Sequence, residues 1–331
     1  MSSGKTLVTG ASGFIGSAVV RKLLARGREV RCYVEPGADR RNLSGLDVEV
    51  IEGDVNDRQR IADALRGCEV LYHLAAIYKL WMPDDAPIYE VNVEGTKTVL
   101  WAAYKASLRK VVYTSSIAAI GDPGNGGPAD ETVKFNLWKQ SNAYIRSKWL
   151  SERDALRFAA EGLPLTVVNP SFPFGERDVG PTPTGKLILQ ALQGKVTPYM
   201  EGGCNCVDVE DVAEAHVLAE ERGKVGERYI AGGHNVRYDE FFDLVMGIGG
   251  VNHRRVKVPK AVFHSLAWLL EKHADYVSHT APPMTLKSSR WGARNVWYDC
   301  TKARRDLGMP LTPLRDTVAK SIRWFRENGY A

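Results

Sequence analysis

Lys5-Thr6-Leu7-Val8-Thr9-Gly10-Ala11-Ser12-Gly13-Phe14-Ile15-Gly16 decides the fold of this chain. A short apolar run enters a glycine-rich turn, and the turn opens an amphipathic stretch near Gly13–Arg26. Gly10, Gly13 and Gly16 form G-x-x-G-x-x-G at this strand-to-helix junction. Gly10 permits a tight turn, Gly13 lets a pyrophosphate approach the backbone, and Gly16 lets the helix sit close to the sheet. The helix N-terminus offers unpaired N–H groups and the positive end of its dipole to phosphates. Glycine spacing alone is a weak signal; the strand before it and the helix after it point to dinucleotide binding rather than a plain βα turn. Ser12, Phe14 and Ile15 lie in the same candidate contact.

Working outward, β-rich runs fall at Lys5–Thr9, Glu29–Val34, Val48–Ile51, Val70–Leu74, Lys110–Thr114 and Leu165–Asn169. Helical patterns lie between them, near Arg58–Leu65, Val91–Ala106 and Asn142–Ala160. The alternation is that of βαβ units, and the runs are continuously apolar, as in strands covered on both faces. After Pro170 an irregular Pro- and Gly-rich segment, Asn169–Gly185, precedes a helix at Lys186–Gln193. Val207–Glu221 returns to strand and helix, and beyond Val236 the pattern is mostly helical. The predicted fold is α/β: a doubly wound parallel sheet of Rossmann type with a smaller, mostly helical C-terminal lobe. Residues 1–168 with 207–235 make the dinucleotide-binding part, and 169–206 with 236–331 the substrate lobe.

The 331 residues carry a net charge of +5, with acids and bases interleaved, which gives no argument for nucleic acid. No signal peptide is expected, and no apolar run reaches membrane-spanning length. Cys32, Cys68, Cys204, Cys206 and Cys300 are scattered and odd in number, so reduced thiols in a cytoplasmic protein are expected. No metal site is expected; His264, His273 and His279 read as structural.

Tyr144-x-x-x-Lys148 brings a phenol and an ammonium to one helix face. Such a pair can exchange a proton with an alcohol or ketone, although the pattern also describes an ordinary surface pair. Asp54, with Val55 after it, ends the third strand, where a carboxylate can accept the adenine amino group or cap the next helix. His73-Leu74-Ala75-Ala76 ends the fourth strand with small residues, and Ser115 and Ser116 end the fifth. At the C-terminal edge of a parallel sheet hydroxyls face the ligand crevice, although strand-end serines more often just cap turns.

TGASGFIG, GDV, HLAA, NVEGT, YTSSIAAIG, YIRSK, NPSFPFG and VEDVAEAH occur in this order along essentially the whole chain. Together they resemble the extended short-chain dehydrogenase/reductase family. Within it the chain looks most like the branch of dihydroflavonol reductases, 3β-hydroxysteroid dehydrogenases and hopanoid-associated sugar epimerases. YKLW at 78–81, ERDVGPTPTG at 176–185 and VGERYIAGG at 225–233 are closest to the last of these. The resemblance implies that Tyr144 is the general acid/base and that Lys148 binds the nicotinamide ribose and lowers the Tyr144 pKa. It implies that Ser116 bonds the substrate oxygen beside Ser115, and that Asn92 holds a helix bend and supports the proton path. Pro170 and Phe172 would contact the cofactor. It also implies a homodimer through the helices at Val91–Ala106 and Asn142–Ala160.

NADP-using relatives often carry Arg at the place of Glu35, where this chain has a carboxylate that would accept ribose hydroxyls and repel a 2′-phosphate. Arg31, Arg40 and Arg41 pull towards NADP, so NAD is expected with NADP left open. Sugar-nucleotide members usually carry Asn at the place of Phe172 and Arg near Cys204; a ring and a thiol cannot grip a diphosphate. Tyr78, Leu80, Trp81, Met82, Phe172, Pro173, Phe174 and Tyr199 would line an apolar pocket, with about half of them serving as lobe core instead. The expected reaction is hydride transfer between nicotinamide and a bulky hydrophobic cyclic alcohol or ketone of sterol, triterpenoid or flavonoid type. Sugar epimerisation and a non-catalytic cofactor-binding protein are the rivals. A dehydratase lacks support, because Ser116-Ile117-Ala118 stands where that chemistry has an Asp-Glu pair. The apolar stretch Ala261–Glu271 reads first as core or pocket lid and leaves open a peripheral contact with a membrane.

Overall fold

Seven parallel strands form the central sheet: β1 Lys5–Thr9, β2 Val30–Val34, β3 Glu49–Glu52, β4 Cys68–His73, β5 Lys110–Thr114, β6 Leu165–Pro170 and, further along, Arg228–Ala231. The computed structural model describes residues 4–194 and 196–331. Before the seventh strand come β7 Phe172–Phe174, β8 Val196–Tyr199 and β9 Gly203–Asp208, so Arg228–Ala231 is β10. The sheet order is β10-β6-β5-β4-β1-β2-β3. From β1 the chain winds out to β3, then returns past β1 to β4, leaving a crevice beyond the ends of β1 and β4 where ligands bind in such sheets.

The helices are α1 Phe14–Ala25, α2 Arg58–Ala64, α3 Ala86–Tyr89, α4 Thr96–Lys105, α5 Ala143–Ala160, α6 Pro183–Gln193, α7 Val209–Arg222, α8 Tyr238–Gly249, α9 Lys260–His273, α10 Leu286–Gly292 and α11 Leu314–Glu327. Successive strand residues point to opposite faces, and both faces are covered except at the exposed edge strand β3. Leu7, Val111 and Val167 belong to the core with α4 and α5, whereas Val8, Val112 and Val168 belong to the core with α1 and α7. Each fully buried Val or Leu contributes about 1.5–3 kcal/mol, which is why the strands read as unbroken apolar runs.

The C-terminal lobe has sheets of its own besides its helices. β9 pairs antiparallel with β11 His234–Arg237 on one edge. On its other edge it pairs with β13 Asn295–Val296 and then with β7. β12 Arg254–Lys257 pairs with β8. α6 starts at Pro183, earlier than the Lys186 expected, because Thr182 caps it by accepting from the Gly185 N–H at 3.2 Å and proline suits the first helical turn.

One helix was expected over Val91–Ala106. Instead Glu90–Gly95 forms a π-turn leading into α4. The wider turn lets Asn92 reach sideways out of the helix, and such bulges often mark functional sites. α9 also departs from expectation: only Ala267 along it is buried, so the stretch is not core.

Candidate active site

The glycine loop does three different jobs. Gly10 has φ +67°, and a Cβ there would lie 2.7 Å from the Ala75 nitrogen. A Cβ on Gly16 would come within 2.1 Å of Gly10 O, so the helix can approach only without a side chain. At Gly13 an added Cβ would meet only Gly10 O, at 3.3 Å, and otherwise opens onto space. The protein itself therefore leaves a cradle at Gly13. α1 has no side-chain cap and no acid in its first turn, so its leading amides remain available to an anion. Ser115 Oγ is buried with no partner. These features fit a dinucleotide.

β5 and α5 bring the proposed catalytic residues together. Asn142 caps α5 by accepting from Ile145 N–H at 2.9 Å, which sets Tyr144 in the first turn and Lys148 one turn on. Lys148 is buried and donates to Thr114 O at 2.8 Å, with its ammonium 5.3 Å from the Tyr113 ring centroid. Burial pulls Lys148 down to about 8, opposed by Glu152. Burial pushes the Tyr144 phenol up to about 12, and a hydrogen bond with the Ser116 side chain pulls the other way. At Tyr144 desolvation outweighs the opposing hydrogen bond. Ser116 Oγ also accepts from Ala118 N–H at 3.1 Å.

Asn92 ties this corner to the loop after β4. Its Nδ2 donates to Ile77 O at 3.1 Å and to Ser147 Oγ at 3.0 Å, and its Oδ1 accepts from Ile77 N–H at 2.7 Å. Ser147 Oγ in turn donates to Tyr144 O at 2.8 Å. His73 is enclosed between Thr9 Oγ1 at 2.7 Å and Thr96 Oγ1 at 3.0 Å. Burial, with Lys148 nearby, holds the His73 pKa down at about 3, so the ring is neutral. Leu74, Ala75 and Ala76 follow it at the sheet edge, partly open. The Leu74 N–H donates to Thr9 O at 3.2 Å.

At the end of β2, Glu35 is exposed. The arginines offered for a 2′-phosphate are engaged elsewhere: Arg31 with Glu49 at 2.9 Å, Arg40 with Glu52, and Arg41 with Asp39 at 2.7 Å. Asp54 folds onto its own turn, accepting from Asn56 N–H at 2.9 Å, while Asp57 caps α2 by accepting from Arg60 N–H at 2.9 Å. The Val55 side chain is core.

Of the residues expected to line an apolar pocket, Tyr78 packs on Tyr144 with ring centroids 4.7 Å apart. Trp81 Nε1 donates to Asp275 Oδ1 at 3.1 Å. Pro170 is buried at the end of β6, and Phe172, on β7, is half-buried. Phe174 is a correction: its ring is enclosed in the lobe core, 5.1 Å from Phe241, where Ile188, Val318 and Phe325 close over it. Tyr199 packs against the same core, with the Arg255 guanidinium 5.7 Å from its ring. Cys204 is buried in that core too, 3.5 Å from Cys206 Sγ, and all five cysteines are free.

The sequence reading missed the support behind the site. Glu152 lies four residues after Lys148, a helical spacing that signals a paired carboxylate. It accepts from Arg228 at 2.7 Å and from Asn169 Nδ2 at 2.5 Å, and Asn169 Nδ2 also donates to Ser116 O at 2.9 Å. Asp178, buried, accepts from Thr182 N–H at 2.9 Å and Thr182 Oγ1 at 2.7 Å, fixing the turn before α6.

Comparison with known proteins agrees with this geometry. The model of the NAD dependent epimerase/dehydratase family matches residues 6–232. A Synechocystis sp. protein provisionally named dihydroflavonol 4-reductase is 37% identical, covering 98% of this chain and 95% of its own. Sterol demethylase protein B of Methylococcus capsulatus is 34% identical, covering 98% and 99% respectively. The crystal structure of gox2253 superimposes with a TM-score of 0.87 at 41% identity, covering 98% of each chain. NAD is the cofactor of the matched family, and among the described residues no helix is long and apolar enough to cross a membrane. With its glycine cradle, uncapped α1 and the Ser116, Tyr144 and Lys148 corner, the chain belongs to the NAD-dependent epimerase/dehydratase family of extended short-chain dehydrogenases/reductases and is an NAD(P)-dependent oxidoreductase.

Proposed function

We propose that the protein reduces a ketone on a bulky, hydrophobic cyclic substrate, or oxidises the corresponding alcohol, with Ser116, Tyr144 and Lys148 as its catalytic residues. NAD, when bound, supplies or accepts the hydride. In the reductive direction ketone, NADH and a proton give alcohol and NAD⁺. Tyr144 gives the proton to the substrate oxygen, Ser116 holds that oxygen, and Lys148 supports the phenolate left behind. A phenol held near 12 is protonated throughout the neutral range, which favours the role of acid. The division into residues 1–168 with 207–235 and 169–206 with 236–331 serves as cofactor part and substrate part.

The observation that carries the substrate class is what surrounds Tyr144. The Tyr78 ring stands against it, while in the separate core of the lobe Cys204, at the place of a diphosphate-binding arginine, is buried among apolar side chains. The two relatives named for a dihydroflavonol and a sterol carry names of polycyclic skeletons. A homodimer through α4 and α5 belongs to the same reading, and exposed Trp101 and Tyr104 on α4 supply apolar surface for it.

The test is to follow reduced-cofactor absorbance with sterol ketones, hopanoid alcohols, flavonoids and UDP-sugars, with NAD(H) and NADP(H) in parallel. Turnover with the polycyclic compounds is expected. Turnover confined to UDP-sugars would overturn the substrate class in favour of sugar epimerisation.

A further inference from the structure

α9 is apolar on both sides. Phe263, Ala267 and Leu270 share the inner face, and Ala274 follows on it; Ala267 and Ala274 are buried. Val262, Leu266 and Leu269 repeat at i, i+4 and i+7 on the outer face. With Trp268 and with Tyr276 and Val277 of the following π-turn, Ala274–Ser278, they are all between 48% and 75% exposed. Six large apolar side chains within one helix and turn form a contiguous patch of the kind that marks an interaction surface.

The charge around this patch is one-sided. Residues 251–294 hold eight lysines and arginines against Glu271 and Asp275; Arg255, Lys257, Lys260, Lys272 and Arg294 pair with Asp243, Glu201, Asp275 and Asp122, which leaves Arg254, Lys287 and Arg290 without a paired acid among the described residues. Both acids are engaged. Glu271 accepts from the Leu286 N–H at 2.8 Å, and Asp275 from Trp81 at 3.1 Å and Lys272 at 3.0 Å. α10 lies along α9, joined by His264 Nδ1 and Ser289 Oγ at 2.5 Å, and brings exposed Lys287 and Arg290 beside the patch. Lys260 and Arg290 are close enough to His264 to help burial hold its pKa down. Lys287 and Arg290 of α10 therefore supply the cations that the helix itself lacks.

We propose that this face docks onto a lipid bilayer bearing anionic headgroups. Aliphatic residues with a Trp and a Tyr, flanked by Lys287 and Arg290, match the apolar boundary and negative surface of such a bilayer. A second copy of this chain would bring the same positive field to the same patch, which disfavours self-association there. Trp81 connects the patch to the Tyr78–Trp81 loop beside Tyr144, so a lipid-like substrate would have a short path from bilayer to site; this last link rests on the function proposed above, whereas the docking does not.

Flotation of the full chain with vesicles of phosphatidylcholine alone, or with about 30% phosphatidylglycerol, tests the proposal without needing turnover. Binding to the anionic vesicles is expected, at least tenfold over neutral ones, and it should weaken at about 1 M salt. Leu266→Ser with Leu269→Ser, and separately Lys287→Glu with Arg290→Glu, should each lower it roughly tenfold while NADH binding and thermal midpoint stay unchanged. Absence of wild-type binding to anionic vesicles, equal binding by the variants, or a dimer in light scattering that the leucine variant dissolves would each overturn it.

Discussion

Tyr144 and Lys148 are displaced by the same force in opposite directions. Burial disfavours the charged form of each, so the phenol rises to about 12 and the ammonium falls to about 8. Lys148 keeps its charge at neutral pH and loses it just above. Carbonyl reduction should therefore decline as pH rises through about 8, seen in a kcat/KM profile. Replacing Tyr144 by Phe should cut turnover by roughly 10²–10⁴ while NADH fluorescence titration stays within about twofold. Lys148 also carries a stability cost. Its folded pKa lies below the unfolded 10.5, so the unfolded state holds more protons between about 8 and 10.5, and stability rises with pH across that window. Lys148→Met should be inactive yet raise unfolding free energy at pH 7 by about 1–3 kcal/mol, less the bond to Thr114 O. A urea midpoint that falls in this variant would refute the cost. Residue types and spacing suggested the pair, but its electrostatics depend on burial, which a linear pattern does not contain.

At the scale of elements, Asn92 and the π-turn hold the loop after β4 against α5. Asn92→Ala removes two bonds to Ile77 and one to Ser147 and should cost about 2–3 kcal/mol. If the loop carrying Tyr78 and Trp81 loosens as expected, KM should rise more than kcat falls; an unchanged melting temperature would argue against this anchoring. Elements whose burial is dictated by period were readable beforehand. β1 and β5 fall at Lys5–Thr9 and Lys110–Thr114 as expected, because continuous apolar runs between helices admit little else. β7 and β13, three and two residues long, were not readable, since pairing with β9 is non-local and no period exists at that length. Packing of α6 and α11 onto β7, distant in sequence, decides that Phe174 is core. α9 departs in the other direction: the stretch reads first as core or pocket lid, and only the packing of its neighbours reveals one bare side.

At the scale of the molecule, two neutral histidines tie the layers together. His73 bridges β1 and α4, and His216 on α7 reaches Thr114 Oγ1 of β5 at 2.8 Å. Burial holds them at about 3 and about 4, below the usual value of 6.5. Below pH 6.5 the unfolded chain takes up protons that the folded one refuses, so stability falls as pH drops towards 4, by about 1.4 kcal/mol per unit for each histidine. Urea midpoints at pH 7, 5.5 and 4.5 should descend in that order, and His216→Gln should flatten the slope.

The chain passes between its two main sheets by very short steps: Ser171 alone separates β6 from β7, α7 begins directly after β9, and two residues separate β10 from β11. Ser171 is itself pinned, donating to Asn205 O at 2.9 Å. A jaw hung on three such pivots has no slack to swing. Small-angle scattering curves with and without NADH should superimpose, while backbone amide exchange in residues 76–85 slows; that pair of results would place any gating in this lip and not in a closing bite.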